Sequence, residues 1–368
     1  MPRPLSTSEL RYLVLLPSLD RPVGGANVLL WMTETLREAG HDVAALQARR
    51  NYNYAFRNFS GPRFYSRELD KLFRKGLFPQ GRRARLWQIF GNLQRDLMGW
   101  RAGRAHLPDW GPAPGDILIV PEFMYPEAVA AFPELQSILV VQDVFGLMRA
   151  SLRSRRWLGG QPERFAAVIS TSAACASAAR AVLGSPGLSF ILPVCHHGLD
   201  FNPDKKLQIA LMPRKRREEA RILQALIRAH PELQEIPLVE IDHVPEAEAH
   251  RILRESLIFL SLSDQEGFGL PPAEAMATGS LVIGYTGVGG EEYFTAENGF
   301  PIPDGDITAF LERLVEVVRA WRQNPEPLDT KRRSASEFVW SRYDENAARQ
   351  SLKVLWGGLK AQLRNGSE

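Results

Sequence analysis

Two cysteines, Cys175 and Cys195, occur in 368 residues, each within an apolar stretch. So few exclude a disulfide framework and make a reducing cytoplasm the expected compartment. No apolar run approaches the roughly 20 residues that a membrane-spanning helix requires, and no low-complexity tract or short-period repeat is present. The opening, MPRPLSTSELRYLVLLP, offers only Tyr12 to Leu16 before a proline. It lacks a cleavage-site pattern, so a first core strand is expected in place of a signal peptide. Histidine is sparse as well. His196, His197 and His243 have no ligand-spaced partner, and no metal site is read from them. With 45% apolar and 24% charged residues, the chain suits a soluble globular enzyme of two or three domains.

Charge is small in total and uneven in distribution. The net value is +3, yet Arg49 to Arg104 carries 14 Lys and Arg against Glu68, Asp70 and Asp96. The rest of the chain is therefore net acidic. The same segment holds Tyr52, Tyr54, Phe56, Phe78, Trp87 and Trp100 among other aromatics. A basic and aromatic surface suits anionic lipid headgroups, phosphates or nucleic acid. The plainer alternative is an insertion with its own small core and solvated arginines. No nucleic-acid motif accompanies the segment, which ranks that partner last.

Short apolar runs alternate with helical patterns along the chain. RYLVLLP (11–17) reads as a buried strand, and residues 21–46 as a loop, a helix and a second strand. In that helix Val28, Leu29, Trp31, Met32, Leu36 and Ala39 trace an apolar face, and Gly40 stops it. This is the start of a βαβ unit and hence of a parallel sheet. Strands are predicted at 116–120, 137–141, 166–170 and 188–192, and segment 50–110 interrupts their rhythm. After the polar stretch PVCHHGLDFNPDKK (193–206) the alternation restarts, with strands at 207–212, 237–241, 257–262, 280–285 and 299–303. The economical reading is two doubly wound α/β halves joined by a hinge near residue 200. The tail at 337–363 reads as one helix or a pair.

The densest chemistry lies in DQEGFGLPPAEAMATGS (264–280). In open α/β sheets ligands bind at the carboxyl ends of strands. Here a strand at 257–262 leads into a loop, Pro271 and Pro272 open a helix where missing amide hydrogens cost little, and Gly279 ends it. Glu266 falls on the loop and Glu274 in the first helical turn, so both can face one cleft. Gly267 and Gly269 admit close backbone approach, and free amides at a helix start suit anionic oxygens. Ionised carboxylates are pure acceptors and suit sugar hydroxyls. The bland alternative is an acidic first turn that complements the helix dipole.

The pattern E-G-F-G-L-P-x-x-E-A-M-A-x-G, with seven residues between the glutamates, resembles the signature of retaining GT-B glycosyltransferases, family 4 in particular. The resemblance covers residues 190–345 loosely and implies two Rossmann-like domains facing a central cleft. These would be 1–198 with 345–368 on the acceptor side, and 199–344 on the donor side. It implies that Glu266 contacts the donor sugar, Glu274 the ribose, and the amides of Gly267, Phe268, Gly269 and Leu270 the sugar and its diphosphate. VGGEEYFTAENGFPIPDGD (288–306) is similar to the family's Gly-Gly turn. Arg214 and Lys215, then Arg217, would meet the diphosphate; the family's glycines there are replaced by Met-Pro. Gly24 and Gly25 resemble its glycine-rich loop, and the loop holding His243 would form part of the base pocket. Where many relatives carry a histidine, this chain offers Gln142 and Asp143, the latter as a general base or a turn cap.

The resemblance thus implies a retaining transfer from a nucleotide diphosphate sugar to a glycan or lipid-linked saccharide, in cell-surface polysaccharide synthesis. No cofactor and no metal are expected, because cationic side chains can neutralise the leaving group. An anionic membrane at the inner face is the further partner expected of the basic segment. Rival readings are a degenerate relative that only binds nucleotide or glycan, and a nucleotide-sugar epimerase.

Overall fold

The computed structural model describes residues 10–17, 24–49, 59–75, 107–157 and 165–365. Residues 50–58 and 76–106, which hold most of the basic and aromatic stretch, lie outside the described residues.

Two parallel sheets organise the chain. The first contains β1 (Arg11–Leu16), β2 (Asp42–Gln47), β3 (Arg63–Tyr65), β4 (Asp116–Pro121), β5 (Gln136–Val141), β6 (Ala167–Ser170) and β7 (Leu188–Ser189). Their order is β3-β2-β1-β4-β5-β6-β7. The second contains β8 (Lys206–Leu211), β9 (Leu238–Glu240), β10 (Ser256–Leu262), β11 (Leu281–Tyr285) and β12 (Phe300–Pro301), in the order β12-β11-β10-β8-β9. The near-continuous apolar strands RYLVLL and SLIFLSL are buried over most or all of their length, as strands covered on both faces must be. Each sheet reverses its winding once, between β1 and β4 and between β8 and β10. A doubly wound sheet opens a crevice at that switch point, at its carboxyl edge.

The helices are α1 (Gly24–Glu38), α2 (Arg67–Lys75), α3 (Tyr125–Ala131), α4 (Val144–Trp157), α5 (Ala173–Leu183), α6 (Arg217–Ala229), α7 (Glu246–Glu255), α8 (Leu270–Ala277), α9 (Ile307–Gln323), α10 (Glu326–Tyr343) and α11 (Glu345–Asn365). Helix α1 buries more than one stripe. Leu30, Thr33 and Thr35 are covered along with Val28, Leu29, Trp31, Met32 and Leu36, whereas Ala39 is exposed. The reason is the tail. Helix α11 packs against α1, and Trp31 Nε1 donates to Glu345 at 3.0 Å. A helix between a sheet and another helix needs two apolar faces.

The tail is a pair of helices, broken at Asp344, whose backbone is extended (φ −61°, ψ 136°). Val194 and Cys195 N–H both donate to the Tyr343 carbonyl, at 3.2 and 2.9 Å, and Glu345 N–H returns to Cys195 O at 2.9 Å. Two strands of chain thus cross side by side between the sheets. Helix α10 packs on α8 of the second sheet and α11 on α1 of the first. Among the described residues no helix is long and apolar enough to cross a membrane.

Candidate active site

The carboxyl edges of the two sheets face each other across a cleft of about 880 Å³. Its walls come from the segments that follow β1, β4 and β5 on one side and β8, β9 and β10 on the other.

The loop after β10 is shaped by glycine. Gly269 sits at φ +87° and lets the chain turn into α8, and Gly279 at φ +84° releases it; both angles are costly for a side-chain-bearing residue. Helix α8 opens at Leu270, which places Glu274 in its second turn, one turn later than the prolines suggest. Glu266 and Glu274 both line the cleft. Desolvation, then the charges of Glu246 and Glu266, push the Glu274 carboxyl up to about 7. The sequence reading takes both glutamates as ionised acceptors. With its carboxyl raised that far, Glu274 can also donate when it is protonated.

The Gly-Gly turn holds this loop from behind. Gly289 N–H donates to Glu266 O at 3.0 Å, and a Cβ on Gly289 would lie 2.1 Å from the Gly267 carbonyl oxygen. The Tyr293 hydroxyl donates to the Gly269 carbonyl. The ring of Phe268 meets those of Tyr293 and Tyr343 at 4.9 and 5.0 Å between centroids. The loop carrying Glu266 is therefore packed directly against Tyr343, at the crossing between the sheets.

The four consecutive cations after β8 divide by position. Arg214 and Lys215 line the cleft, with Lys215 Nζ 3.6 Å from Glu266 Oε1. Arg216 turns away, to Ser263 O at 3.1 Å, Glu219 at 2.9 Å, Asp264 at 3.3 Å and also Asp304, over the Tyr285 ring. It anchors the base of the Glu266 loop. Arg217 is outside the cleft lining and pairs with Asp242 at 3.0 Å. Asp242 also holds His243 Nδ1 at 2.9 Å. Arg217 is thus linked through Asp242 to that loop, where His243 lines the wall at φ +55°, a conformation histidine adopts more readily than most residues.

On the opposite wall Gly24 and Gly25 open α1. A Cβ on Gly24 would come within 2.6 Å of Leu270 Cδ1, and one on Gly25 within 3.4 Å of Gln142 Oε1. Asp143 lines the cleft and also accepts from Gly146 N–H at 2.8 Å, capping α4. Sequence reasoning passed over Glu122, a buried carboxyl just past β4 that accepts from Gln142 N–H at 3.0 Å. Burial, far outweighing those amide contacts, pushes it up to about 8. Its signal was available: an acid directly after the apolar strand DILIVP.

The halves touch through Gly267. Its carbonyl accepts from the Ser172 hydroxyl, and Ala173 N–H, in the first turn of α5, donates to Glu292 at 2.9 Å. Tyr343 Oη donates to the other oxygen of Glu292 at 3.0 Å. A Cβ on Gly267 would stand 1.9 Å from the backbone oxygen of Gln142, and backbone cannot swing aside. Gly267→Ala is expected to force the walls apart by about 1 Å and to lower kcat/KM by roughly 10²-fold. Steady-state turnover beside a wild-type melting curve checks this.

A cluster unseen in the sequence stands at the mouth of the cleft. His196, Glu246 and His250 place ligand-type atoms within 4.8 Å of one another. Glu246 and His250 are four apart on α7, a spacing legible in EAEAHRILRE, but nothing local announces that the crossing segment brings His196 to them. Burial, then His196, lowers the pKa of His250.

Residues 232–334 match the family model of the group 1 glycosyl transferases. An alpha-1,6-glucosyltransferase of Actinobacillus pleuropneumoniae serotype 7 is 26% identical over 170 residues, 43% of this chain. The match spans about half the length of that relative. Among solved structures, sucrose-phosphate synthase of Thermosynechococcus elongatus superposes with a TM-score of 0.63 at 15% identity, over 97% of this chain and 100% of that one. HepE of Anabaena, solved with UDP and glucose, gives 0.59 at 14% identity, over 95% and 100%. The chain has the GT-B fold, two Rossmann-like domains about a central cleft.

Proposed function

We propose that this chain is a retaining glycosyltransferase that moves a sugar from a nucleotide diphosphate donor to a glycan or lipid-linked saccharide. The observation that carries the reading is one cleft shared by Glu266, Glu274, Lys215, Arg214 and the glycine-rich backbone of 267–270. It takes residues 1–198 with 345–368 as the acceptor-side domain and 199–344 as the donor-side domain. The group 1 match and the transferases among the relatives support the class.

In this mechanism Glu266 accepts from donor sugar hydroxyls and Glu274 from the ribose. Amides of Gly267 to Leu270 meet the sugar and diphosphate, and Gly24 and Gly25 let the first wall approach the phosphates. The bond from the anomeric carbon to the phosphate oxygen breaks with its electron pair going to the diphosphate. Arg214 and Lys215 stabilise that charge as it forms. The acceptor oxygen adds to the same face, and its proton passes to the departing phosphate. Asp143 lies on the acceptor wall, where one of its carboxylate oxygens caps α4 through Gly146 N–H. The reaction as written uses no metal ion. Set at the inner face of a membrane, the basic segment would hold the enzyme near a lipid-linked acceptor in polysaccharide synthesis.

A screen of nucleotide sugars by thermal shift is the direct test. A donor at about 100-fold its Kd stabilises the fold by roughly 2.7 kcal/mol. The expected result is a marked shift with one class of nucleotide diphosphate sugar, followed by acceptor-dependent release of nucleoside diphosphate. A shift without release would leave a binding protein, and interconversion of the donor without acceptor an epimerase. No shift with any donor would end the reading.

A further inference from the structure

We propose that His196, Glu246 and His250 form a zinc site that ties the crossing segment between the sheets to helix α7. This goes beyond the transfer reaction and does not depend on the identity of the donor.

The donor atoms are already gathered within 4.8 Å. Tetrahedral zinc needs ligand atoms about 3.3 Å apart, as follows from bonds of about 2.0–2.1 Å, so small side-chain rotations suffice. Glu246 and His250 stand one turn apart on α7 and present a chelating pair on one helix face. His196 comes from the crossing segment and is poised as a ligand. Its Nδ1 lies 3.0 Å from the His197 carbonyl, which can only accept, so Nδ1 carries the proton and Nε2 keeps a free lone pair. A backbone carbonyl fixing the far nitrogen is the usual support of a metal-bound imidazole. Glu246 has an outer partner too, the Asn27 side-chain amide at 3.1 Å. His250 makes no hydrogen bond among the described residues, and its ring sits 5.1 Å from that of His196.

The donor set suits a first-row divalent ion, and zinc is the one we take. Two imidazoles and one carboxylate with a position left for water suit zinc. Calcium and magnesium prefer all-oxygen shells, and a thiol-free site does not favour copper(I). An ion here would pin the crossing segment to α7, while Asn27 on α1 reaches the same carboxylate from the other wall. It would therefore restrain the movement of the halves about the cleft.

Chelator-treated, full-length protein is titrated with zinc chloride by calorimetry, and bound metal is counted by elemental analysis. The expected result is one zinc per chain at micromolar or tighter Kd. His250→Ala and His196→Ala should each weaken it at least 100-fold and Glu246→Gln by about 10-fold, while His197→Ala, a change at a fully exposed neighbour, leaves it intact. Cobalt(II) should give the intense visible bands of a tetrahedral centre, and lose them in His250→Ala. Absence of stoichiometric zinc in the wild type would overturn the proposal. So would wild-type affinity in folded His250→Ala, checked by circular dichroism, or in Glu246→Gln should the histidine variants fail to fold.

Discussion

Glu266→Ala and Lys215→Ala are each expected to lower turnover by about 10²–10³-fold while the protein stays folded. Removing one donor aimed at developing transition-state charge costs on the order of 3–4 kcal/mol in a water-poor site. In the proposed mechanism Lys215 is such a group. It reaches the cleft on the chain just past β8, and its only ionic partner among the described residues, Glu266, is 3.6 Å away. That separation matters for the readout. A loose, partly exposed pair contributes about 0–1 kcal/mol to folding, so the melting temperature should barely move. When a donor enters, the pair is exchanged for a phosphate oxygen on one side and sugar hydroxyls on the other. Lys215→Ala should therefore fall mainly in kcat, because the charge it meets is fully developed only as the diphosphate leaves. Glu266→Ala should lose in both parameters, because it orients the sugar before and during departure. The double variant should be no worse than about the weaker single, since both act on one event. Nucleoside diphosphate release with donor and acceptor present measures all three. Wild-type rates in either folded single variant would remove that residue from the reaction.

Much of this site could be read without coordinates because the informative residues are contiguous. The loop, the two prolines and the glycine stop of 264–280 are local chemistry, and local backbone rules locate Glu266 and α8. Strand and helix alternation likewise announced two doubly wound halves, though β7 and β12 came out shorter than their apolar runs, at Leu188–Ser189 and Phe300–Pro301. What stayed hidden needed long-range placement. Arg214 to Arg217 look alike in sequence, and only the acids at 219, 242, 264 and 304 sort them into cleft-facing and anchored cations. The second apolar face of α1 made sense only once α11 was found lying on it. His196 meets α7 because the crossing segment and the tail pair at Cys195 and Asp344, a contact across about 150 residues that no periodicity encodes. Glu274 illustrates a third kind of loss. Its position was legible, but its protonation depends on Glu246 and Glu266 converging on it.

Burial of Glu122 should make the fold lose stability as pH rises from about 4.5 to about 8. Its carboxyl titrates near 4.5 when exposed and is pushed up to about 8 in the folded chain, first by burial. The folded state therefore holds a proton that the unfolded state has released across this window. Stability falls as pH rises when the native state binds more protons, so the fold should be at full strength near pH 4.5 with respect to this group and weaken progressively to about pH 8. Each unit corresponds to roughly 1.4 kcal/mol, giving a loss on the order of several kcal/mol, with Glu274 adding a smaller one of the same sign. The half-buried His41, whose pKa is lowered chiefly by burial, works in the opposite direction below its ordinary range. A comparison of variants separates the two. Glu122→Gln keeps an oxygen to accept from Gln142 N–H and carries no charge at any pH. Its melting temperature should match the wild type at or below about pH 4.5 and exceed it by about 10 °C or more at pH 8.5, at about 2–4 °C per kcal/mol for domains of this size. Melting curves for both proteins, taken at half-unit steps, would show the gap opening between about pH 4.5 and 8. Parallel curves would mean that Glu122 ionises in the folded state without hindrance, and that water or a cation reaches the end of β4.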